Sequence, residues 1–375
     1  MIEVSAPGKL MLSGEWSVLE VGIPCIVLAV NKRVHCRIEK SDELEFNAPD
    51  IGIENLKGEF DREKLNWKRE LNQEEKQRML LPEKAIELTL RYLNDTGKTT
   101  QNFKISTKSD ISQVVLDDGS ITKIGFGSSA AAIVSIVGAI LRLHDIDITT
   151  KQNKDRIYKL AAAAHYIGQG KVGSAFDIAT SIYGGAVIYR RFDPNWLIGE
   201  MKSGKKLSEI IDSEWKAFSA ENIELPEDFN LCVAWTKKGA STKELVLKIR
   251  EFKQKNEEEY WKIINSIKNV TEELIDSIKR NDKEKIFTLI KDNRKYLKDL
   301  SDASENKLET EELSELADIA DQNEAAGKFS GAGGGDCGIA VCFNPNVANR
   351  IKRAWKEAGF YTINIKISRT GLKEE

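Results

Sequence analysis

Four places in this sequence combine residue types that could do chemistry: Lys9 behind Pro7-Gly8, a glycine–serine stretch around residue 127, and two later glycine runs that each end in an aspartate. In the second place, Lys123-Ile124-Gly125-Phe126-Gly127-Ser128-Ser129 runs straight into Ala130, Ile133, Val134, Val137 and Leu141, apolar at helical spacing. A glycine loop that opens a buried helix leaves unpaired N–H groups pointing outward, and the helix dipole favours an anion there. Glycine also lets the backbone come close to a phosphate. Ser128 or Ser129 would cap this helix, ligate Mg²⁺, or divide those tasks. The plain alternative is an ordinary N-cap at a tight turn.

Two familiar phosphate motifs fail here. Gly125-x-Gly127-x-x-Ala130, with Asp145 about 20 residues on, fits a loose dinucleotide fingerprint, but that fingerprint belongs to a first βαβ unit and a long stretch of chain precedes it. The stretch is not a P-loop either, because no Gly-Lys-Ser/Thr follows the last glycine.

The later runs are Gly168-Gln169-Gly170-Lys171-Val172-Gly173-Ser174-Ala175-Phe176-Asp177 and Gly327-Lys328-Phe329-Ser330-Gly331-Ala332-Gly333-Gly334-Gly335-Asp336. The first permits an anion nest, and Asp177 is either a working carboxylate or an N-cap. The second leads into the apolar run Cys337–Val341. A bland linker so rich in glycine is disfavoured beside a buried strand, because each glycine costs conformational entropy.

Regular elements must position these groups. Ile2–Ser5 and Leu10–Glu15 read as strands on either side of a turn at Ala6–Lys9. Ile23–Val30 reads as a buried strand, and Val34–Ile38 as a weaker one. Residues 50–80 are polar and carry little pattern. Pro82–Leu93 reads as a helix with Pro82 in its first turn. Phe103–Ser106 and Gln113–Leu116 read as strands, Asp155–Ile167 as an alanine-rich helix, and Ala186–Phe192 as a strand that includes Arg190 and Arg191. Composition shifts near residue 193. Beyond it come a strand at Phe229–Thr236, a capping box at Ser241-x-x-Glu244, amphipathic helices over 243–300, a helix at Val347–Ala358 and a strand at Thr362–Ile367.

The chain has 375 residues, 41% of them hydrophobic, enough for two cores, and a net charge of −3, so no basic field recruits nucleic acid or anionic membrane. Its five cysteines are scattered without a Cys-x-x-Cys pair, and its histidines are only His35, His144 and His165. Free thiols in a reducing cytoplasm are expected rather than a disulfide framework or a zinc site. No secretory leader or membrane span is expected, and the charge runs of the helices read as solvent faces.

Pro7-Gly8-Lys9 through Glu15, Gly125–Ala131 and Lys328–Gly335, in that order, resemble the three motifs of the GHMP kinase superfamily across most of the chain. The resemblance implies an α/β (α+β) chain of two domains. The first is an N-terminal ribosomal-S5-like domain over 1–192 that binds ATP; the second is a C-terminal ferredoxin-like domain with added helices over 193–375. Local features look most like the phosphomevalonate kinase branch: Gln169–Asp177, Tyr189-Arg190-Arg191-Phe192, Ala234-Trp235-Thr236 with Ala240-Ser241-Thr242, and Gly333-Gly334-Gly335-Asp336-Cys337. Mevalonate kinases usually carry a metal-binding glutamate where Tyr166 stands, and the family tends to have glycine in place of Ala175.

The resemblance implies ATP-dependent phosphorylation of 5-phosphomevalonate with Mg²⁺, by a cytoplasmic monomer or homodimer. Gly125, Gly127, Ser128, Ser129 and Ala130 would hold the triphosphate, with Ser128 or Ser129 on the metal. Lys9 and Asp177 would be catalytic. Glu15, Gln169, Lys171, Ser174, Arg190, Arg191, Gly333 and Gly334 would line the acceptor side; for the arginine pair, a strand edge is an equal alternative. A phosphomonoester with a second pKa of about 6 is already nucleophilic at neutral pH, so cations matter more than a general base. The rival readings are a mevalonate kinase or another small-molecule kinase of this fold, a diphosphomevalonate decarboxylase, and a catalytically silent binding module.

Overall fold

The computed structural model of the chain describes all residues except 112–113, 116–120, 123, 169–172 and 240–241, together with the side chains of 114–115 and 121–122. The expected capping serine Ser241 therefore lies outside the described residues. β1 (Ile2–Ser13) is one unbroken strand, not two strands about a turn. The Pro7-Gly8 pair is absorbed as an irregularity instead: Pro7 faces Arg33 of β2 (Pro24–Lys40), whereas Gly8 already faces Val30. A register shift tolerates a residue that has no N–H to give to the ladder. β2 likewise merges the two strands expected over 23–38 into a single strand of 17 residues.

Just after β3 (Leu44–Ala48), the polar stretch over 50–80 itself forms β4 (Ile53–Phe60) and β5 (Leu65–Trp67). It then enters α1 (Gln73–Asp95), whose start is set by an Asn72–Glu75 capping box, so Pro82 lies inside the helix rather than in its first turn. After β6 (Phe103–Ser109) and the small β7–β8 hairpin (Val114–Val115 and Ile121–Thr122) come α2 (Ser128–Leu143), α3 (Lys151–Gly168), α4 (Phe176–Tyr183) and β9 (Ala186–Arg190). α2 is apolar on nearly every side, and it sits between β1–β2 and the helices α1 and α3. Beyond α5 (Pro194–Lys202) and α6 (Leu207–Asp212), β10 (Ser219–Ile223) pairs with β9. The first sheet runs β10-β9-β2-β6-β3-β4-β5, with β1 also on β2. It thus continues past the compositional shift at residue 193.

The second sheet begins at β11 (Asn230–Trp235). α7 (Thr242–Lys255), α8 (Glu257–Lys279), α9 (Lys283–Ala303) and α10 (Glu311–Gln322) follow, then β12 (Ala326–Phe329), β13 (Cys337–Cys342), α11 (Pro345–Glu357) and β14 (Tyr361–Ile363). Its order, β12-β13-β11-β14, is that of a ferredoxin-like sheet with extra helices in the first crossover. The chain then returns to the first unit. Ile367 bridges Val30, Arg33 donates to the carbonyls of Thr370 and Gly371, and β15 (Lys373–Glu374) pairs with β1.

Polar contacts join the units near the end of β1, where Ser330 also accepts from Met11 N–H at 2.8 Å and donates to the Met11 carbonyl at 2.9 Å. Ser13 and Thr271 share a hydrogen bond of 2.7 Å between their hydroxyls. Two residues on, the Glu15 carboxylate and the Lys328 ammonium of β12 form an ion pair whose side chains are both 0% exposed. Burial pushes the Lys328 pKa down, and the Glu15 charge opposes that shift. Lys328 also donates to its neighbour's carbonyl, Phe329 O, at 2.7 Å. Removing one member of such a pair leaves a buried uncompensated charge. Lys328→Met is therefore expected to destabilise the fold by roughly 3–5 kcal/mol in chemical unfolding. The Glu15→Gln/Lys328→Met pair should recover much of that loss, and additive losses would contradict this account of the joint.

Candidate active site

Between the units lies a cleft of about 920 Å³, and its walls include Lys9, Ser128, Ser129, Ser174, Asp177 and Asp336. Lys9 is placed by the β1 irregularity. Its backbone N–H donates to Phe126 O at 2.8 Å, and its Nζ donates to Gly125 O at 3.0 Å. The ammonium also lies 5.8 Å from the centre of the Phe176 ring. The lysine is thereby held along the glycine loop rather than free on the surface. Gly127 has φ of 76°, and a Cβ there would come within 3.0 Å of Lys9 Cγ, so both backbone and neighbour require glycine.

Gly127 also occupies the N-cap position of α2, with no side chain capping it. Neither Ser128 nor Ser129 takes that role. Among the described residues their hydroxyls make no hydrogen bond, and both line the cleft. Ala130 is fully buried behind them. The free N–H groups of this first turn and the two hydroxyls together form an anion-facing surface with spare oxygen donors.

Asp177 enters from the opposite wall. It is the second residue of α4, whose N-cap is Ala175 in the left-handed region (φ 62°), the conformation in which glycine is the least strained residue. Among the described residues its carboxylate accepts one hydrogen bond, from the N–H of Ile178 at 3.0 Å. Ser181 of the same helix donates to Pro7 O at 2.7 Å, which ties α4 to the strand that carries Lys9. Ser174 is buried, and its carbonyl accepts from the Tyr189 hydroxyl. Gln169 and Lys171 lie outside the described residues.

The third glycine loop closes the site. Gly331 and Ala332 line the cleft. Gly333 and Gly334 instead pack against Leu308, whose carbonyl accepts from Gly334 N–H at 2.7 Å. The loop ends in Asp336, whose carboxylate accepts from Gly125 N–H at 3.2 Å, a contact between residues 211 apart in sequence. Burial raises the Asp336 pKa, while the Gly125 N–H and the Lys9 charge hold it down. Glu15 lines the cleft but is committed to Lys328 through one oxygen; the other is buried without a partner. Arg190 and Arg191 stand outside the cleft walls. Arg190 donates to Gly22 O at 3.0 Å and lies 3.7 Å from Glu272, and Arg191 donates to the carbonyls of Leu19 and Gly173. Their guanidinium groups hold loops together behind the site. His165 and Lys243 line the cleft without any sequence motif to mark them.

Models of known families match twice: GHMP kinases N terminal domain over residues 81–185, and GHMP kinases C terminal over residues 274–360. The phosphomevalonate kinase of Saccharolobus solfataricus is 30% identical, covering 98% of this chain and 97% of that one. A mevalonate kinase from Thermococcus sibiricus is 29% identical over 99% and 97%. The solved structure of Streptococcus pneumoniae phosphomevalonate kinase in complex with phosphomevalonate and AMPPNP superposes with a TM-score of 0.82 at 24% identity, covering 98% of this chain and all of that one.

The loop-to-loop contact makes its own prediction. A Cβ on Gly125 would lie 1.8 Å from Asp336 Oδ2. Gly125→Ala should therefore cost about 1–3 kcal/mol in chemical unfolding. Adding Asp336→Ala should cost less than the sum of the two single changes, because the carboxylate that clashes is gone. Strict additivity would show that the two loops do not press on each other.

Proposed function

The chain belongs to the GHMP kinases, and from that premise we propose that it transfers the γ-phosphoryl group of ATP to the phosphate of 5-phosphomevalonate, a step in the mevalonate route to isoprenoids. The observation that carries this reading is the Lys9 ammonium held at the glycine loop, 3.0 Å from Gly125 O. A lysine there faces both the bound triphosphate and whatever acceptor enters from the Asp177 side. In the reaction an acceptor phosphate oxygen forms a bond to the γ-phosphorus as the β,γ-bridging bond breaks, and ADP leaves with the bridging oxygen.

The difficulty of that step is the approach of two polyanions, not deprotonation of the nucleophile, since most of the acceptor phosphate is already doubly ionised at neutral pH. Lys9 screens both partners and orients the transferring group. The free N–H groups at the start of α2 hold the nucleotide phosphates. Ser128, Ser129 and Asp177 would supply hard oxygen donors of the kind Mg²⁺ takes, and their thin set of protein partners fits that role. The ion, when bound, neutralises nucleotide charge. A second cavity of about 100 Å³ adjoins the same serines and is walled by Val34, Ile51, Pro82, Lys108 and Ile133. It is a space of mixed lining, with Asp50, Arg78 and Lys108 beside the apolar residues, into which the adenine end of the nucleotide would extend.

The runner-up is mevalonate kinase activity, which the full-length likeness to the Thermococcus protein favours. Against it stands Tyr166, a mostly buried ring packed edge-on to Phe192 with centroids 6.1 Å apart, where mevalonate kinases usually place a metal-binding glutamate. Release of ADP measured with each acceptor decides the matter. We expect kcat/KM with 5-phosphomevalonate to exceed that with mevalonate by at least about 100-fold. Comparable or reversed values would overturn the reading, and release of carbon dioxide would point to a decarboxylase.

Two substitutions separate the roles. Lys9→Met should lower kcat by roughly 10²–10³ while the unfolding midpoint stays near that of the parent. Asp177→Asn should cost less, without the strong rise of rate with pH that an essential general base imposes. A mild effect at Lys9, or a base-like profile at Asp177, would reverse the assignment.

A further inference from the structure

The proposed acceptor is anionic at both ends. Its phosphate must lie beside Lys9 to react, so its carboxylate extends to the far side of the cleft. The arginine pair does not meet it there: Arg190 and Arg191 stand outside the cleft walls, turned to the carbonyls of Gly22, Leu19 and Gly173. Among the described residues, Lys9, His165 and Lys243 are the basic side chains that line the cleft. Lys9 is engaged at the glycine loop.

His165 stands out on its own helix. It follows Ala161–Ala164, all fully buried, and is itself only 5% exposed, yet among the described residues it makes no hydrogen bond or ion pair. Its ring nitrogens are not sealed from solvent, so they open on the cleft, where an anion can meet them. Lys243 comes from the other unit, in the first turn of α7, and it too has no partner among the described residues. A cation at a helix N-terminus opposes the dipole, so helix stability does not account for the position. The nearby carboxylates do not use up these cations: Glu15 is paired with Lys328, and Asp336 is held by the Gly125 N–H.

We propose that His165 and Lys243 together hold the acceptor's carboxylate, one from each unit, so that the acceptor itself bridges the cleft. This rests on the reaction proposed above, and the two fail differently. Lys243 supplies a mobile charge from the exposed side. His165 supplies a fixed ring N–H from the buried side, so the pair selects an acceptor of set length with an anion at its end.

The test compares 5-phosphomevalonate with its carboxamide analogue, in which a neutral amide replaces the carboxylate. With the parent enzyme, kcat/KM for the carboxylate should exceed that for the amide by roughly 10–100-fold, the range for a hydrogen bond to a charged group. In the His165→Asn/Lys243→Met variant the ratio should fall to within about 3-fold, through a raised KM for the carboxylate rather than a lowered kcat. Lys243→Met alone changes an exposed residue, and if the histidine change disturbs folding, this variant must still lower the ratio by at least about 3-fold. A parent-like ratio in Lys243→Met overturns the subsite. A parent enzyme that turns over neither acceptor overturns the reaction instead.

Discussion

A carboxylate and an ammonium, both sealed from water, meet where the first strand of one sheet abuts an edge strand of the other. The position of the whole cleft follows from that pair. β1 carries Lys9 in its middle and Glu15 just past its end, so fixing Glu15 against Lys328 fixes the lysine relative to the third glycine loop, only a few residues further along from Lys328. A buried ion pair is a poor source of net stability, since desolvation offsets most of its attraction. What it provides here is register: an apolar pair could slide, whereas two buried charges tolerate no displacement that parts them. The shared hydroxyl contact of Ser13 and Thr271 acts in the same direction.

The second constraint is that the glycine loop before α2 is bare of side chains at Gly125 and Gly127, where it meets its neighbours. Gly125 faces the Asp336 carboxylate and Gly127 faces the stem of Lys9, each closer than a Cβ would allow. An aspartate resting on a loop N–H gives that donor an anionic partner from within the chain. It couples the third motif to the second, so movement of either loop is felt by the other. The raised pKa of that carboxyl reflects how little water reaches the junction.

Much of the fold was legible because strong local patterns were also globally consistent. α2 announced itself by its apolar periodicity, and in the second unit β11, the helices over 243–300 and α11 followed from strand and helix signals, whereas α10 and β12 did not. Where the reading differed, long-range pairing had overridden local chemistry. Pro7-Gly8 reads as a turn, yet β2 carries the strand through it; Pro82 reads as a helix start, yet the Asn72–Glu75 box begins the helix earlier. β10 gives no hint in composition that it belongs to the first sheet. In the site, the glycine–serine loop could be recognised from its own residues. The destinations of Arg190 and Arg191 could not, because loop carbonyls that engage them are far away in sequence. His165 and Lys243 stayed hidden for the same reason: each is unremarkable until α3 and α7 face one cleft.

The closing segment of the chain has a consequence for synthesis. Strand β1, the element that carries Lys9, pairs on one side with β15, and β2 is bridged by Ile367. The first unit therefore cannot complete its sheet when its own residues leave the ribosome. It must wait for residues 367–374, with the entire second unit made in between. Contacts such as Ser5 with Glu375, 370 residues apart, form late. Until then, the strand edge that β15 will cover stands open, which makes the nascent first unit a natural client for chaperones and the stage most exposed to aggregation.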